Sequence, residues 1–501
     1  MGIDIKNAIA KDGSNVQFVL TNDPPSGTMK YVFFSPNKDY VVAFYHDTKQ
    51  PDYRQKDRIE RIVTKYRDDI MNQEGGDFWK QLFCWPEKVV EWEGKFGIVV
   101  PAYGKDFFFQ KDPIRKGKEK EGKWFASAKL IRMIAPEERG NFYNFLKVSL
   151  KLAQAVRRMH AAGLAHSDLS YKNVLIDPTS GKACVIDCDG LVVPQKYPPE
   201  VLGTPDFIAP EVINTMNLEN DKRVLPSQLT DRHALAVLIY MYLLHRHPLQ
   251  GGRYFGPDID SDQEEKLLMG SDPLFIEHPV NHTNRNMKRE YGDKYDSCRP
   301  WVDLDGFPAE KICGPYLWNL FQRTFIDALK DPIKRPIAND WENALIKTSD
   351  IILKCKNQKC PQQFFVYDNS KHPRCPFCGT PYQDKLPVLN FYIKGKDTYN
   401  SDRSRLLVWD GQSLFKWHVY KGLSPNEKLK TEDKGRVGYF QLYQGEWILV
   451  NEKISDMFEI LETGDKSQII PGQYIKLHEG TRILLSAAEN GKVVVVQMAG
   501  E

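Results

Sequence analysis

The stretch HSDLSYKNVLID, His166 to Asp177, decides how this chain is read. It follows FYNFLKVSLKLAQAVRRMHAAG, residues 142–163, an amphipathic helix by its apolar spacing, which Gly163 ends. Behind the histidine an acid, a lysine and an amide (Asp168, Lys172 and Asn173) stand at fixed offsets. Downstream, VIDCDG sets Asp187 at the end of an apolar run, and GTPDFIAPE carries Gly203, Thr204 and Ala209-Pro210-Glu211. Asp231 then opens DRHALAVLIYMYLLH, a helix apolar enough for burial, and DPIKRP supplies Arg335. A His-x-Asp arises by chance and a lone Asp-x-Asp-Gly is usually a turn. The weight lies in five such pieces occurring in this order.

Transfer of a γ-phosphoryl group needs metal-binding carboxylates, a group that orients the attacking hydroxyl and a cation on the phosphates. The pieces supply these at the spacing of His-Arg-Asp, four residues, Asn. Residues 15 to 350, roughly, resemble the eukaryotic-like protein kinases. The resemblance implies that Asp168 accepts or orients the substrate hydroxyl, and that Asn173 and Asp187 hold Mg2+ beside ATP. It also implies that Asp231 is the acid of the buried helix and Arg335 the partner of Glu211. The lysine usually found two residues after the acid is Ser170 here. Lys172, at the offset where tyrosine kinases carry an arginine, is expected to neutralise the γ-phosphate; a solvated loop cation is the alternative. Thr204 stands where Ser/Thr kinases keep a threonine that contacts the catalytic acid, which favours Ser/Thr over Tyr as the acceptor.

The amino-terminal lobe departs from the family. NVQFVL, MKYVFF, YVVAFY and FGIVVPAY read as strands, with one helix, DYRQKDRIERIVTKYRDDI, between the third and fourth. The third run carries Tyr45 where kinases have the lysine that holds the α- and β-phosphates, and PPSGTMKYV keeps only Gly27 of the Gly-rich loop. Laid on that loop, Gly27 is its second glycine, Val32 its following valine, and Lys30 falls on the third glycine. The with-no-lysine kinases supply their ATP lysine from this position, and Lys30 is expected to do so here; an exposed hairpin lysine is the alternative. Glu60, beside the apolar Ile59 and Val63, is the candidate for the helix glutamate that pairs with the ATP lysine. Val100 is expected near the back of the cleft, with Ala102 or Tyr103 hydrogen-bonding adenine because Pro101 has no N–H.

After residue 350 come Cys355, Cys360, Cys375 and Cys378, a Cys-x4-Cys and a Cys-x2-Cys fourteen residues apart. Four thiolates on two short turns make a closed structural zinc site, and the segment resembles a zinc ribbon. His372 lies inside it as a spare donor, and a redox Cys-x2-Cys lacks the surrounding β-α-β pattern. Beyond Lys385 short β runs return, loosely resembling forkhead-associated sandwiches that bind phosphothreonine. Arg436 and Asn451 are partial echoes of the residues those domains use. The expected architecture is thus α+β: a bilobal kinase-like domain over 1–350 (lobes about 1–103 and 104–350), a zinc ribbon over 351–385 and an all-β sandwich over 386–501. A polar stretch from about Gly251 to Gly306 reads as a surface insertion.

With 69 basic and 66 acidic residues in 501, the net charge of +3 offers no case for nucleic acid or a membrane surface. No window has the apolar length of a spanning helix and the first residues lack a signal core, so a cytoplasmic protein is expected. The combination resembles bacterial kinases of tellurite-resistance-associated phosphorylation triads. That resemblance implies a metal-dependent phosphatase and a von Willebrand factor A-domain protein as partners. A pseudokinase scaffold for the same partners is the competing reading, argued by Tyr45, the poor Gly loop and Ser167 in place of arginine. A small-molecule phosphotransferase would share the same Asp and Asn, but the Gly203–Glu211 segment, a peptide shelf in protein kinases, weighs against it.

Ser167 replaces the arginine that in many kinases receives an activation-loop phosphate, and between Cys188 and Gly203 only Tyr197 carries a modifiable hydroxyl. Dephosphorylated protein should therefore be fully active and Tyr197→Phe should leave the rate unchanged. A rate that depends on phosphate in this segment would contradict this.

Overall fold

The computed structural model describes residues 4–500 except 74, 195, 198, 200–201, 254, 257, 286–307 and 397. The end of the expected insertion, with Cys298, lies outside the described residues; its earlier part holds a short helix, Ser261–Lys266. The chain forms two compact units. One comprises residues 1–140, 147–300 and 320–341, the other residues 141–146, 301–319 and 342–501.

The first unit begins with six antiparallel strands: β1 (Ile5–Ala10), β2 (Asn15–Val19), β3 (Lys30–Phe34), β4 (Tyr40–Tyr45), β5 (Lys88–Trp92) and β6 (Lys95–Pro101). Their order is β2-β1-β5-β6-β4-β3. The four runs read from sequence are β2, β3, β4 and β6; β1 and β5 were not expected. In β1 the buried side chains are only Ala8 and Ala10, too small to register as a β pattern. The sheet curls about an aromatic centre, in which Phe18 of β2 lies 5.5 Å from Phe33 of β3 and 5.1 Å from Trp92 of β5.

Helix α1 (Tyr53–Arg61) starts on a capping box in which Asp52 accepts from Gln55 N–H and the Gln55 side chain accepts from Asp52 N–H. It runs on through a π turn (Ile62–Tyr66) into a further helical turn and a half (Arg67–Met71), burying Ile59, Ile62, Val63 and Ile70. The long helix read from sequence is α2 (Phe142–Ala161). It ends as expected at Gly163, whose φ of +77° lets Leu164 N–H reach back to Met159 O at 3.0 Å. After it come the hairpin of β7 (Val174–Asp177) and β8 (Lys182–Val185), then α3 (Gln228–Leu244), capped by Ser227 and Thr230 and buried almost all round.

Fully buried Arg335 forms a bidentate pair with Glu211, both bonds 2.7 Å, and donates to Leu229 O at 3.0 Å. This is the pairing the kinase resemblance implies.

In the second unit the cysteine segment and the β region share one core. Cys355, Phe365 and Tyr382 belong to the same buried cluster as Leu389, Phe391, Leu449 and Val494. A six-stranded and a four-stranded antiparallel sheet enclose that core. Asn451 is completely buried and structural: it accepts from Ile454 N–H and donates to Ile454 O and Ile469 O. Arg436 pairs with Glu452.

Breaking the Arg335–Glu211 pair from one side leaves a buried charge alone, a loss of about 3–5 kcal/mol. Arg335→Met and Glu211→Gln should each lower unfolding stability by that order in denaturant titrations, and the double variant should lose less than the sum. Single variants within about 0.5 kcal/mol of wild type would show that the pair is not structural.

Candidate active site

The loop after α2 is held from beneath by one acid. Asp231, in the first turn of α3 and 1% exposed, accepts from His166 N–H at 2.8 Å and lies 3.1 Å from His160 Nε2. His166 Nε2 in turn lies 3.1 Å from Ile186 O, tying the loop to the strand end that carries Asp187. Ser167 (φ +64°) and Asp187 (φ +59°) both adopt the left-handed conformation, uncommon for residues with a side chain and found where surroundings over-determine the backbone.

Between them Asp168 is poised as an acceptor. Asn173 Nδ2 donates to Asp168 Oδ2 and to Asp168 O, each at 2.8 Å, while Asp168 Oδ1 is buried with no protein partner. With its amide nitrogen so engaged, Asn173 presents its amide oxygen as an acceptor. A small cavity lined by Asp168, Leu202, Gly203, Thr204 and Ile208 adjoins Oδ1. At Gly203 (φ +119°) a Cβ would sit 3.2 Å from Ile208 and 3.3 Å from Ser167 O, so the close approach requires glycine. Thr204 Oγ1 donates to Ser170 Oγ at 3.2 Å; the contact with the catalytic acid expected of it is replaced by this hydroxyl pair.

Lys30 stands directly opposite Tyr45 in the β3–β4 register, so both side chains leave the same face. The Lys30 ammonium lies 3.6 Å from Asp187 Oδ1 and 2.5 Å from Asp189 Oδ2. Tyr45 OH donates to that same Asp189 oxygen at 2.8 Å. Burial works against charge on Lys30, but Asp189 and then Asp187 outweigh it and raise its pKa. Asp187 is shifted up: although its side chain reaches the rim, the surrounding protein still strips water from its carboxyl, and the neighbouring Asp189 adds to the shift. Burial disfavours the charge on Asp189 as well, yet Lys30 holds its carboxyl below the usual range.

Asp189 was not singled out from sequence; a second acid two residues after Asp187, in a chain lacking the usual lysine, was the available signal. Glu60 requires correction. It bonds Lys11 of the strand region and does not face Lys30, because α1 turns its apolar side, not Glu60, inward. Ala102 also requires correction, since its N–H is already donated to Asp39 O at 3.0 Å. Tyr103 N–H makes no hydrogen bond among the described residues and remains the available donor for a base. Val100 belongs to two apolar clusters, one with Val32, Ala43 and Ile98, the other with Leu175, Cys184 and Ile186. Lys172 is exposed, its ammonium unpaired among the described residues. Gly27 anchors its loop through its N–H to Lys30 O and its carbonyl, 3.0 Å from His46 Nε2. Tyr197 OH donates to Asp57 of α1.

In the other unit Cys355, Cys360, Cys375 and Cys378 place their sulfurs within 4.8 Å of one another. Cys355 and Cys378 are 3.5 Å apart and Cys360 and Cys375 3.8 Å. The edge of a tetrahedron with Zn–S bonds of about 2.3 Å is about 3.8 Å, so the donor set fits zinc. Backbone amides of Asn357, Gln362, Phe377 and Thr380 are directed at the sulfurs, as thiolates require. His372 is not among these donors.

Part of the chain is similar to known proteins. The family profile described as "Protein kinase domain" matches residues 127–279. The serine/threonine-protein kinase PkaB of Streptomyces coelicolor is 27% identical over 132 residues, 24% of this chain and 28% of that protein. The MAP kinase-interacting serine/threonine-protein kinase 2 of Xenopus laevis is 28% identical over 142 residues, 25% of this chain and 28% of that one. Citron rho-interacting kinase of Rattus norvegicus is 32% identical over 108 residues, 20% of this chain and 5% of that protein. The chain thus spans less than a third of each of these relatives. It has the protein kinase fold, followed by further all-β sheets and a four-cysteine cluster. Among the described residues no helix is long and apolar enough to cross a membrane.

The cysteine cluster can be tested by itself. Purified chain should contain one zinc, by elemental analysis, and Cys375→Ser should lose it and lower the melting temperature. Because the ribbon shares its core with the sheets, strong chelators should destabilise the whole second unit. Metal-free protein of unchanged melting temperature would exclude a structural zinc.

Proposed function

We propose that this chain transfers the γ-phosphoryl group of ATP to a Ser or Thr hydroxyl of a protein, using Lys30 in place of the missing third-strand lysine. The observation that carries this reading is the convergence of Lys30 on the acid pair at Asp187, opposite an Asp168 whose Oδ1 is left free for a hydroxyl proton. Lys30 supplies the charge for the phosphates from β3, on the face it shares with Tyr45. Asn173 and Asp187 are the residues that would hold Mg2+, which would offset the negative charge of the phosphates. Asp168 Oδ1 accepts the hydroxyl proton and so orients the oxygen for in-line attack. Val32, Val100 and Ile186, each partly exposed, offer apolar faces to adenine, with Tyr103 N–H as donor. Lys172, exposed and unpaired among the described residues, is free to reach the γ-phosphate. The match to serine/threonine kinases supports Ser/Thr as the acceptor. The sequence resemblance to phosphorylation triads suggests a phosphatase and a von Willebrand factor A-domain protein as partners.

Transfer of labelled phosphate from ATP with Mg2+ tests the reading. Asp168→Asn should cut incorporation about 10²–10⁴-fold, and Lys30→Met and Asp187→Ala should each cost at least about 100-fold. Equal incorporation by all variants would sink the assignment. A wild type that binds ATP but transfers nothing to any protein would favour the scaffold.

A further inference from the structure

We propose that Asp189 is the positioning residue for Lys30, doing from the turn after Asp187 what a helix-borne glutamate would otherwise do. The inference rests on the reading of Lys30 as the phosphate-binding lysine. A lysine that reaches into a cleft from a strand has a flexible four-carbon stem, and without a counter-charge its ammonium swings to solvent. The counter-charge must therefore be fixed. Asp189 meets that need: its side chain is 6% exposed, and its Oδ2 receives both the Lys30 ammonium and the Tyr45 hydroxyl. Two neighbouring strands thus grip one carboxylate oxygen.

Asp187 is built for a different task. Its side chain is 54% exposed and lies 3.6 Å from Lys30, leaving its oxygens open to a metal. The difference follows from the backbone. The left-handed conformation at Asp187 (φ +59°, ψ +37°) opens a 3-10 turn over Cys188–Gly190, which buries Asp189 while Asp187 stays at the rim.

Helix α1 and its continuation offer no substitute. Asp57 is engaged by Tyr197 and Arg61, Glu60 by Lys11, and Asp68 by Asn72. Asp69 is exposed. Among the described residues the only carboxylates in ion-pair reach of Lys30 are Asp187 and Asp189. Lysine and metal acid are therefore positioned by one short turn, and the state of α1 does not enter. Tyr45, at the place of the missing lysine, acts through Asp189.

Steady-state kinetics of the full chain with ATP, Mg2+ and a protein substrate, together with affinity for a fluorescent ATP analogue, test this. Asp189→Asn should raise KM for ATP and weaken analogue binding about tenfold or more, with a smaller change in kcat. Asp189→Glu should recover part of the loss, and Glu60→Gln should behave as wild type. The double variant Lys30→Met/Asp189→Asn should be no worse than Lys30→Met, because the acid acts only through the lysine. If Asp189→Asn lowers the melting temperature, Tyr45→Phe replaces it: this variant loses only the hydroxyl and should raise KM for ATP by roughly threefold. Wild-type kinetics for Asp189→Asn, or losses that multiply in the double variant, would overturn the proposal while leaving Lys30 in place. A Lys30→Met variant of wild-type activity would instead remove the functional reading on which the proposal rests.

Discussion

The site depends on a carboxylate that takes no part in chemistry. Asp231 is sealed at the start of an almost wholly buried helix, where the unpaired N–H groups of the first turn favour negative charge. A buried carboxylate must be satisfied, and here the backbone N–H of His166 and the ring of His160 satisfy it. His166 is so anchored and tied again to Ile186 O, and the chain leaves it in the left-handed conformation at Ser167. The strain at that residue is offset by the helix beneath it. Asp168 therefore projects where it does because of a residue more than sixty positions away.

This explains which parts of the site were readable from sequence. Asp168, Asn173, Asp187, Asp231 and Arg335 could be read because each belongs to a short motif of fixed internal spacing, even where, as at Asp168 and Asp187, the residue lies in a loop. A side chain outside those motifs, set by a local turn, was not readable in that way. Asp189 follows a left-handed residue inside a 3-10 turn, and no periodicity predicts which way such a turn faces. Glu60 is adjacent in sequence to Ile59, yet neighbours on a helix are about 100° apart, so sharing a sequence window with the apolar face did not place it on that face. The donor at Ala102 was lost to Asp39 O, a pairing set by how far β4 and β6 run side by side.

In the second unit the metal knot and the β core were each legible, while their merging was not. Cysteine spacing reports a metal site without reporting what packs around it; here the knot contributes side chains to the sheets' own core. Asn451 shows the same limit at one residue. Read from sequence it is a polar loop group available to a ligand, but in the fold all its hydrogen-bonding capacity is spent on neighbouring backbone.

The charge balance of the cleft ties these points together. Asp168, Asp187 and Asp189 set three carboxylates against the half-buried ammonium of Lys30, and that ammonium is already shared between two of them. Phosphates entering such a cleft meet a field that Lys30 alone does not make positive. On the function proposed above, nucleotide and divalent cation would bind as linked events, each improving the site for the other. In a kinase whose lysine pairs with a distant helix, movement of that helix can switch the lysine without touching the metal acid. Here Asp187 and Asp189 ride on the same turn, so on the proposed function a displacement of that turn would alter metal and phosphate binding together.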